Sequence, residues 1–265
     1  MARFTVDFTS YVLQRTVSVT AVIPSARIGD ILKGKTVKHT PQYRYPVVYL
    51  LHGFGGNHTD WLRYTSAERY AEERNIALVC AGNENHLYLN NSGHNWFDFY
   101  TEELPEFVTG MFPISGRPED TCLCGYSNGG YGTLLYALNC PEKYAAIGCL
   151  SGTHSPLRTI LNDGKLQIVH DHEAGQRYFP DQMIRKLAAE GKRLPKAYIA
   201  CGGQDAFFQK NKAFYELLKE NGFEADFHEI ENLGHDWRFW DRETELFLDW
   251  LPRTDQAASG NHQEG

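Results

Sequence analysis

The sequence predicts an α/β fold with a mostly parallel central sheet. Short apolar runs alternate with helix-like stretches along most of the chain, and this alternation is typical of a doubly wound sheet. Most of the runs are continuously apolar, as strands covered by helices on both faces must be. A length of 265 residues suits one large domain of this class. We therefore expect a single domain over residues 1–252.

The predicted strands begin with a segment from Phe4 to Pro24, which alternates polar and apolar residues and is rich in β-branched ones. The polar segment from Ser25 to Tyr45 follows, and its turn residues and weak periodicity predict a surface loop. The central strands are predicted within the apolar runs "YPVVYLLHG", "IALVCAG", "TCLCGYS", "YAAIGCLSG" and "KAYIACGGQD".

The predicted helices lie between these runs, at residues 65–74, 101–109, 129–139 and 211–221. The stretch "FWDRETELFLDWL" has bulky aromatics at helical spacing and predicts a last helix packed on the sheet. Between residues 153 and 195 the chain is too long for a simple connection. We interpret this segment as an inserted cap that ends in a helix from about Asp181 to Glu190. Residues 253–265 are polar and predict a flexible tail.

Composition excludes several classes of protein. Hydrophobic residues make up 42% of the chain and the net charge is −7, with no basic run, so nucleic acid is not an expected partner. No apolar run approaches the roughly 20 residues that span a bilayer, and the alternating pattern of the first residues does not predict a secretory signal. The six cysteines lie mostly in apolar runs and indicate buried thiols in a reducing compartment. We expect a soluble, cytoplasmic protein that does not bind membranes.

Ser127 is the candidate nucleophile. Gly125 to Gly129 form a G-x-S-x-G pattern between an apolar strand and a helix-compatible segment, where a sharp turn exposes the serine. The glycines leave room for that turn. The pattern alone does not separate a nucleophile from a glycine-rich turn, because it also occurs by chance. Partner residues must decide between the two.

Asp205 and His235 are the expected partners of Ser127. The α/β-hydrolase order is serine, then acid, then histidine, and Asp205 ends the apolar run "AYIACGGQD" while His235 precedes the last helix. The base removes the serine proton and the acid orients the base. Asp236 is an alternative acid, but neighbours in a loop seldom point together, so Asp205 is favoured.

The stretch "LLHGFGGNHTDW" predicts the donors for a developing oxyanion. It follows an early strand, and we assign the backbone N–H groups of Phe54 and Asn128 to this role. His52 is interpreted as a structural residue that holds the loop. His228 is expected to pack within a strand. His170 and His172 have metal-like spacing but lack a third ligand, so no metal site is predicted.

Trp61, Tyr126 and Trp237 each adjoin a predicted catalytic element, and we expect them to contact the substrate. Aromatic side chains at these positions could stack on a ring of the ester. The alternative is that they fill the core or cover the sheet, as large aromatics commonly do.

The stretches "YPVVYLLHGFGGNHTDW", "CGYSNGGYGTLLYAL" and "GHDWRFWD", with the opening "SYVLQRTVSVTAVIP", resemble the esterase D-like serine esterases. That family includes tributyrin esterases, feruloyl (cinnamoyl) esterases and S-formylglutathione hydrolases. The resemblance covers nearly the whole chain and implies an α/β-hydrolase fold, no metal or organic cofactor, and hydrolysis through an acyl-enzyme. It assigns catalysis to Ser127, Asp205 and His235. A homodimer is expected from the resemblance alone.

The expected substrate is a small ester with a short-chain or hydroxycinnamoyl acyl group. An S-formylglutathione-type thioesterase is the alternative, and the scattered basic residues Lys165, Arg177, Arg185 and Lys186 would have to neutralise the glutathione carboxylates. Transfer of the acyl group to an acceptor other than water is a further alternative. A binding module on a hydrolase scaffold belongs to a different class, but such proteins usually lack a triad member.

Overall fold

The central feature of the computed structural model is an eight-stranded sheet in the order β1-β2-β4-β3-β7-β8-β11-β12. The structure describes residues 1–41, 43–91, 93–155, 157–162, 165–170 and 178–253. The sheet strands are β1 (Ala2–Ser10), β2 (Arg15–Ile23), β3 (Val47–Leu51), β4 (Ala77–Ala81), β7 (Thr121–Tyr126), β8 (Ala146–Leu150), β11 (Lys196–Gly202) and β12 (Ala225–Ile230). β1 and β2 form an antiparallel hairpin at one edge, and β2 pairs antiparallel with β4. The other six strands of the sheet, β4, β3, β7, β8, β11 and β12, run parallel to one another. The predicted sheet class is confirmed.

The helices follow the predicted alternation closely. They are α1 (Ile28–Leu32), α2 (Asp60–Tyr64), α3 (Ala67–Arg74), α4 (Trp96–Asp98), α5 (Leu104–Met111), α6 (Asn128–Asn139), α7 (Pro180–Ala189), α8 (Phe208–Glu220) and α9 (Trp237–Trp250). A π-helical turn at Phe99–Glu103 joins α4 to α5. The predicted loop at residues 25–45 also contains the single turn α1, which the sequence analysis missed because its apolar residues are exposed. No described helix is both long and apolar enough to cross a membrane.

The core consists of two layers, one on each face of the sheet. Alternate residues of β3 enter different layers: Tyr49 and Leu51 pack with α6 and α8, whereas Val48 and Leu50 pack with α3 and α9. This period of two follows from strand geometry. Burial on both faces explains why the central strands are continuously apolar in the sequence.

Two further pairs of strands lie outside the central sheet. β5 (Asn90–Asn91) pairs with β6 (His94–Asn95), and β9 (Leu157–Asn162) pairs with β10 (Lys165–His170). The second pair and α7 belong to the cap predicted at residues 153–195. The predicted cap helix begins and ends within one residue of α7. His172 and the predicted tail from residue 254 onward lie outside the described residues.

Candidate active site

Ser127 lies in a strained turn between β7 and α6. Its φ is +53° and its ψ is −118°, a backbone conformation that costs energy for a residue with a side chain. Its N–H donates to Leu150 O at 2.9 Å, and its carbonyl accepts from Gly130 N at 3.0 Å and Thr153 N at 3.2 Å. These bonds tie the turn to the carboxyl end of β8. The serine is therefore held where the parallel strands end.

The glycines around Ser127 are required by close contact between backbones. A Cβ on Gly125 would lie 2.1 Å from Gly129 O, and a Cβ on Gly129 would lie 2.1 Å from Leu51 O. A Cβ on Gly132 would lie 2.6 Å from the Tyr88 ring. The first two contacts make the turn possible, and the third lets α6 approach its neighbours. Gly125 and Gly129 therefore leave room for the turn, and Gly132 leaves room for the packing of α6.

Replacing Gly129 with alanine is expected to destabilise the fold by about 3 kcal/mol or more, because the new Cβ collides with backbone that cannot move aside. Gly110, near the end of α5, has nothing within 4 Å of a built Cβ and is the matched control. Gly110→Ala should be neutral or stabilising by up to about 1 kcal/mol. Urea unfolding of both variants measures the difference. Equal stabilities for the two variants would contradict the packing argument.

His235 and Asp205 come together beside Ser127. His235 Nε2 lies 3.0 Å from Ser127 Oγ, and His235 Nδ1 lies 2.8 Å from Asp205 Oδ2. Asp205 follows β11, and His235 lies between β12 and α9. The side chain of Asp205 is fully buried, whereas the imidazole is partly exposed. Residues far apart in sequence thus form one hydrogen-bonded chain at the carboxyl end of the sheet.

The carboxylate of Asp205 is held in its ionised form. Burial by itself raises the pKa of this group, but hydrogen bonds from His235, the Phe207 backbone and Ser151 outweigh it and keep the pKa below its usual value. The Phe207 N–H donates to Oδ1 at 2.8 Å, which leaves Oδ2 for the histidine. An ionised carboxylate at Nδ1 favours the tautomer with the proton on Nδ1. Nε2 is then free to accept the proton of Ser127.

Asp236, the alternative acid, has a different position. It is the N-cap of α9, and its carboxylate accepts from Arg238 N at 2.9 Å and Phe239 N at 3.3 Å. Its side chain also pairs with the Arg238 guanidinium. These bonds direct the carboxylate toward the helix, as an N-cap requires. Asp205, not Asp236, contacts His235.

Phe54 and Asn128 flank Ser127 in the same cavity wall. Asn128 is the first residue of α6, so its N–H has no acceptor within the helix. In the loop after β3, which contains Phe54, Gly55 N donates to Asn85 Oδ1 and Gly56 N donates to Gly53 O. Among the described residues nothing accepts from the N–H of Phe54. Phe54 and Asn128 thus remain the predicted oxyanion donors, since both residues line the cavity together with Ser127.

His52 holds the loop after β3. Its Nε2 accepts from Asn83 N at 3.1 Å, and its Nδ1 donates to Gly53 O at 2.7 Å. Burial lowers the pKa of the ring, in agreement with a neutral side chain. The ring therefore connects the Phe54 loop to the loop after β4, which is the structural role predicted for it. His228 lies in β12 and packs on Tyr198 of β11, also as predicted.

A cavity of about 730 Å³ opens beside Ser127. Its apolar wall consists of Phe54, Phe207, Ala213, Phe214 and Leu217. Its polar lining includes Thr153, His154, Lys210, Arg185 and Glu216. A space of this size lies within the usual range of small-molecule sites.

The structure places the three aromatics predicted to contact substrate elsewhere. Trp61 is fully buried, its Nε1 donates to Leu51 O, and its ring packs edge-on against Tyr126 at 5.2 Å. Tyr126 is buried as well, and Trp237 stacks on Tyr64 at 4.9 Å. None of the three lines the cavity. These rings cover the α9 face of the sheet, whereas the cavity opens on the α8 side.

The sequence analysis missed the residues that do line the cavity. Phe207, Lys210, Phe214 and Leu217 lie at helical spacing along the start and length of α8, and Thr153 and His154 follow β8. One available signal was position, because ligands of parallel sheets bind at the carboxyl ends of strands. Periodicity alone could not show which face of α8 meets the cavity.

Among the residues that the structure describes, Glu84, His86 and His94 form a group of potential metal ligands outside this cavity, with ligand atoms within 4.8 Å of one another. Arg15 Nη2 lies 3.0 Å from Glu84 Oε2 and 3.3 Å from His94 Nδ1. The two imidazoles stack with centroids 3.8 Å apart. The guanidinium already supplies the positive charge that the group attracts. Stacked rings also cannot both direct a nitrogen at one ion, so the cluster is poorly suited to a metal.

Comparison with known proteins agrees with the geometry of this site. A family model described as "Putative esterase" matches residues 25–245. The chain is 27% identical to an acetyl esterase of Caldicellulosiruptor saccharolyticus over 96% of this chain and 99% of that protein.

Two solved structures from Staphylococcus aureus are also similar. A fluorophosphonate-binding serine hydrolase, solved with substrate bound, has a TM-score of 0.79 and 27% identity, covering 94% of this chain and 98% of the other. An S-formylglutathione hydrolase has a TM-score of 0.77 and 25% identity, with the same coverage. The fold is the α/β-hydrolase fold.

Proposed function

Since this chain belongs to the esterase family, we propose that it is a serine carboxylesterase in which Ser127, His235 and Asp205 form the catalytic triad. The observation that carries the proposal is the continuous hydrogen-bonded chain from Ser127 Oγ through His235 to Asp205, with distances of 3.0 and 2.8 Å. This chain supplies a nucleophile, a base and an orienting acid.

The reaction follows from these positions. His235 Nε2 takes the proton of Ser127 as Oγ attacks the ester carbonyl carbon, and the N–H groups of Phe54 and Asn128 stabilise the negative oxygen. The protonated imidazole then gives its proton to the leaving alcohol, and an acyl-enzyme remains. Water enters, loses a proton to His235, and attacks the acyl carbonyl. The carboxylic acid leaves and Ser127 regains its proton.

The proposed substrates are small esters with short-chain or hydroxycinnamoyl acyl groups. An acetyl group would fill little of a 730 Å³ cavity, whereas its Phe207 and Phe214 walls suit a larger, ring-bearing acyl group. The similarity to an acetyl esterase supports acceptance of short acyl groups as well. A cytoplasmic location is proposed because all six cysteines are free.

A thioesterase that cleaves S-formylglutathione is the second candidate, and the similarity to such a hydrolase is the observation that favours it. The charges around the cavity weigh against it. Asp181, Glu216 and Glu220 outnumber Lys210 and Arg185, and Arg185 is already paired with Asp181 at 3.1 Å. The carboxylates of glutathione would meet net negative charge there. Of the other basic residues considered from the sequence, Arg177 and the side chain of Lys165 lie outside the described residues.

A hydrolysis panel tests this proposal. We expect kcat/KM to be at least about tenfold higher for acetyl, butyryl or feruloyl esters than for S-formylglutathione, because poorly compensated carboxylates cost more than 1 kcal/mol in such a site. Product analysis in the presence of an added alcohol separates hydrolysis from acyl transfer. A higher kcat/KM for S-formylglutathione than for every oxygen ester would reverse the preference. No turnover of any ester would overturn the proposal.

A further inference from the structure

β1 forms an open edge of the central sheet. It is the end strand in the sheet order, next to β2. The pairing with β2 runs without a bulge over all nine residues of β1, from Ala2 to Ser10. In the described part of the chain, no strand pairs with the N–H and C=O groups that point away from β2. Edge strands commonly carry proline, a bulge or repelling charges that prevent pairing with another chain.

The side chains of β1 do not supply this protection. The strand has neither proline nor glycine, and its charged residues are Arg3 and Asp7, which are both exposed and opposite in sign. They lie two residues on either side of Thr5, on the same face of the strand. On the other face, Phe4 is 43% exposed and Val6 is half-buried. The edge therefore presents an apolar stripe and a pair of opposite charges.

This pattern is complementary to itself. When two copies of β1 pair antiparallel about a two-fold axis at Thr5, Arg3 of each copy lies opposite Asp7 of the other. Phe4 then lies opposite Val6, so apolar side chains also meet. Residues directly opposite each other have Cβ atoms roughly 4.5–5.5 Å apart, which is close enough for the two ion pairs. Registers centred on the residue before or after Thr5 place Arg3 opposite a threonine, so the charges select the register centred on Thr5.

The strand at the opposite edge of the sheet, β12, has a different charge pattern. It is six residues long, and its carboxylates are Asp226 and Glu229, with no lysine or arginine between them. Two copies of β12 would therefore bring negative charges together, which opposes pairing. Of the two edges of the sheet, β1 is the one that fits a second copy of this chain.

We propose that two copies of this chain associate through their β1 strands in the register centred on Thr5, which joins their sheets into one. The present contacts of the charged residues permit this. Arg3 pairs with Glu68 at 3.3 Å, but both side chains are exposed and such pairs contribute little. Ser18 donates to one oxygen of Asp7, which leaves the other oxygen for a partner. The proposal does not depend on esterase activity, because β2, β4 and β3 separate β1 from β7.

Sedimentation velocity over a range of protein concentrations tests the proposal, with any purification tag placed at the C-terminus. The wild type is expected to show a monomer–dimer equilibrium. Arg3→Asp alone places two acids opposite each other, and Asp7→Arg alone places two bases opposite each other. Each variant should raise the dimer Kd at least about tenfold. An equimolar mixture of the two variants should dimerise again, because each of its two charge pairs then contains one acid and one base.

Two further variants serve as a control and as an independent measurement. Arg69→Asp makes the same charge change on α3, where the exposed Arg69 pairs with Glu73, and should leave the dimer Kd within about twofold of wild type. Thr5→Cys should form a disulfide-linked dimer under mild oxidation, because opposite Cα atoms of an antiparallel pair are about 4.5–5.5 Å apart. Thr9→Cys lies far from the two-fold axis and should not form one.

Circular dichroism shows whether each variant is folded. A wild type that stays monomeric at every concentration would overturn the proposal, and so would a dimer that persists unchanged in both charge variants. Failure of the mixed variants to dimerise would reject the register. If a charge variant does not fold, the Thr5→Cys experiment decides, and the absence of a crosslinked dimer rejects the interface.

Discussion

Replacing Ser127 with alanine is expected to lower kcat for p-nitrophenyl acetate by roughly 10³- to 10⁶-fold. The reason is geometric: Ser127 Oγ lies 3.0 Å from His235 Nε2, and the strained turn holds the serine at the start of α6. Without the hydroxyl no acyl-enzyme forms, and only the residual effect of the oxyanion donors remains. Steady-state kinetics measures the loss, and a fluorophosphonate probe should label the wild type but not the variant.

The matched control is Ser18→Ala on β2. Ser18 Oγ donates to Asp7 on the neighbouring strand of the exposed hairpin, far along the sheet order from β7. Loss of that surface bond should leave kcat and probe labelling unchanged. Retention of wild-type turnover in Ser127→Ala would remove this serine from the mechanism. It would leave the fold assignment intact, because the sheet order does not depend on the hydroxyl.

The sheet could be predicted from the sequence because its strands are covered on both faces. Val47–Leu51 and Ala77–Ala81 read as unbroken apolar runs, and helices separate them at regular intervals. The meeting of Ser127, Asp205 and His235 could be predicted for a related reason. Each follows a strand of one parallel sheet, and the carboxyl ends of such strands meet at one edge. Chain order then suggested which side chain would contact which.

The cavity could not be predicted in the same way. Trp61 is next to the Phe54 loop in sequence, but its side chain enters the core on the α9 face. Thr153 and His154 are polar residues in the loop after β8, and nothing in the local sequence shows that this loop lines a cavity. Their role depends on α8, which approaches from a distant part of the chain and places Phe214 against the His154 ring. Contacts of this kind depend on tertiary packing, which periodicity does not report.

Asp205 and Asp236 offer a paired experiment. Asp205 contacts His235, Asp236 follows it in the sequence, and the same change to asparagine can be made at each position. Asp205→Asn is expected to lower kcat by roughly 10²- to 10⁴-fold. An amide can still accept from the Phe207 N–H, but it carries no charge to stabilise the imidazolium. If its NH₂ group faces His235 Nδ1, it favours the tautomer with the proton on Nε2. That tautomer cannot accept the Ser127 proton.

Asp236→Asn is expected to leave kcat within about twofold of wild type and stability within about 0.5 kcal/mol. Asparagine caps a helix nearly as well as aspartate, and the exposed pair with Arg238 contributes little. Kinetics and urea unfolding of the two variants distinguish an acid that orients the base from one that caps α9. A large kcat loss in Asp236→Asn, with near-normal turnover in Asp205→Asn, would exchange the two roles. Because the two changes are chemically identical, any difference in kcat must come from position: one carboxylate is buried against His235 Nδ1, and the other faces the N–H groups that begin a helix.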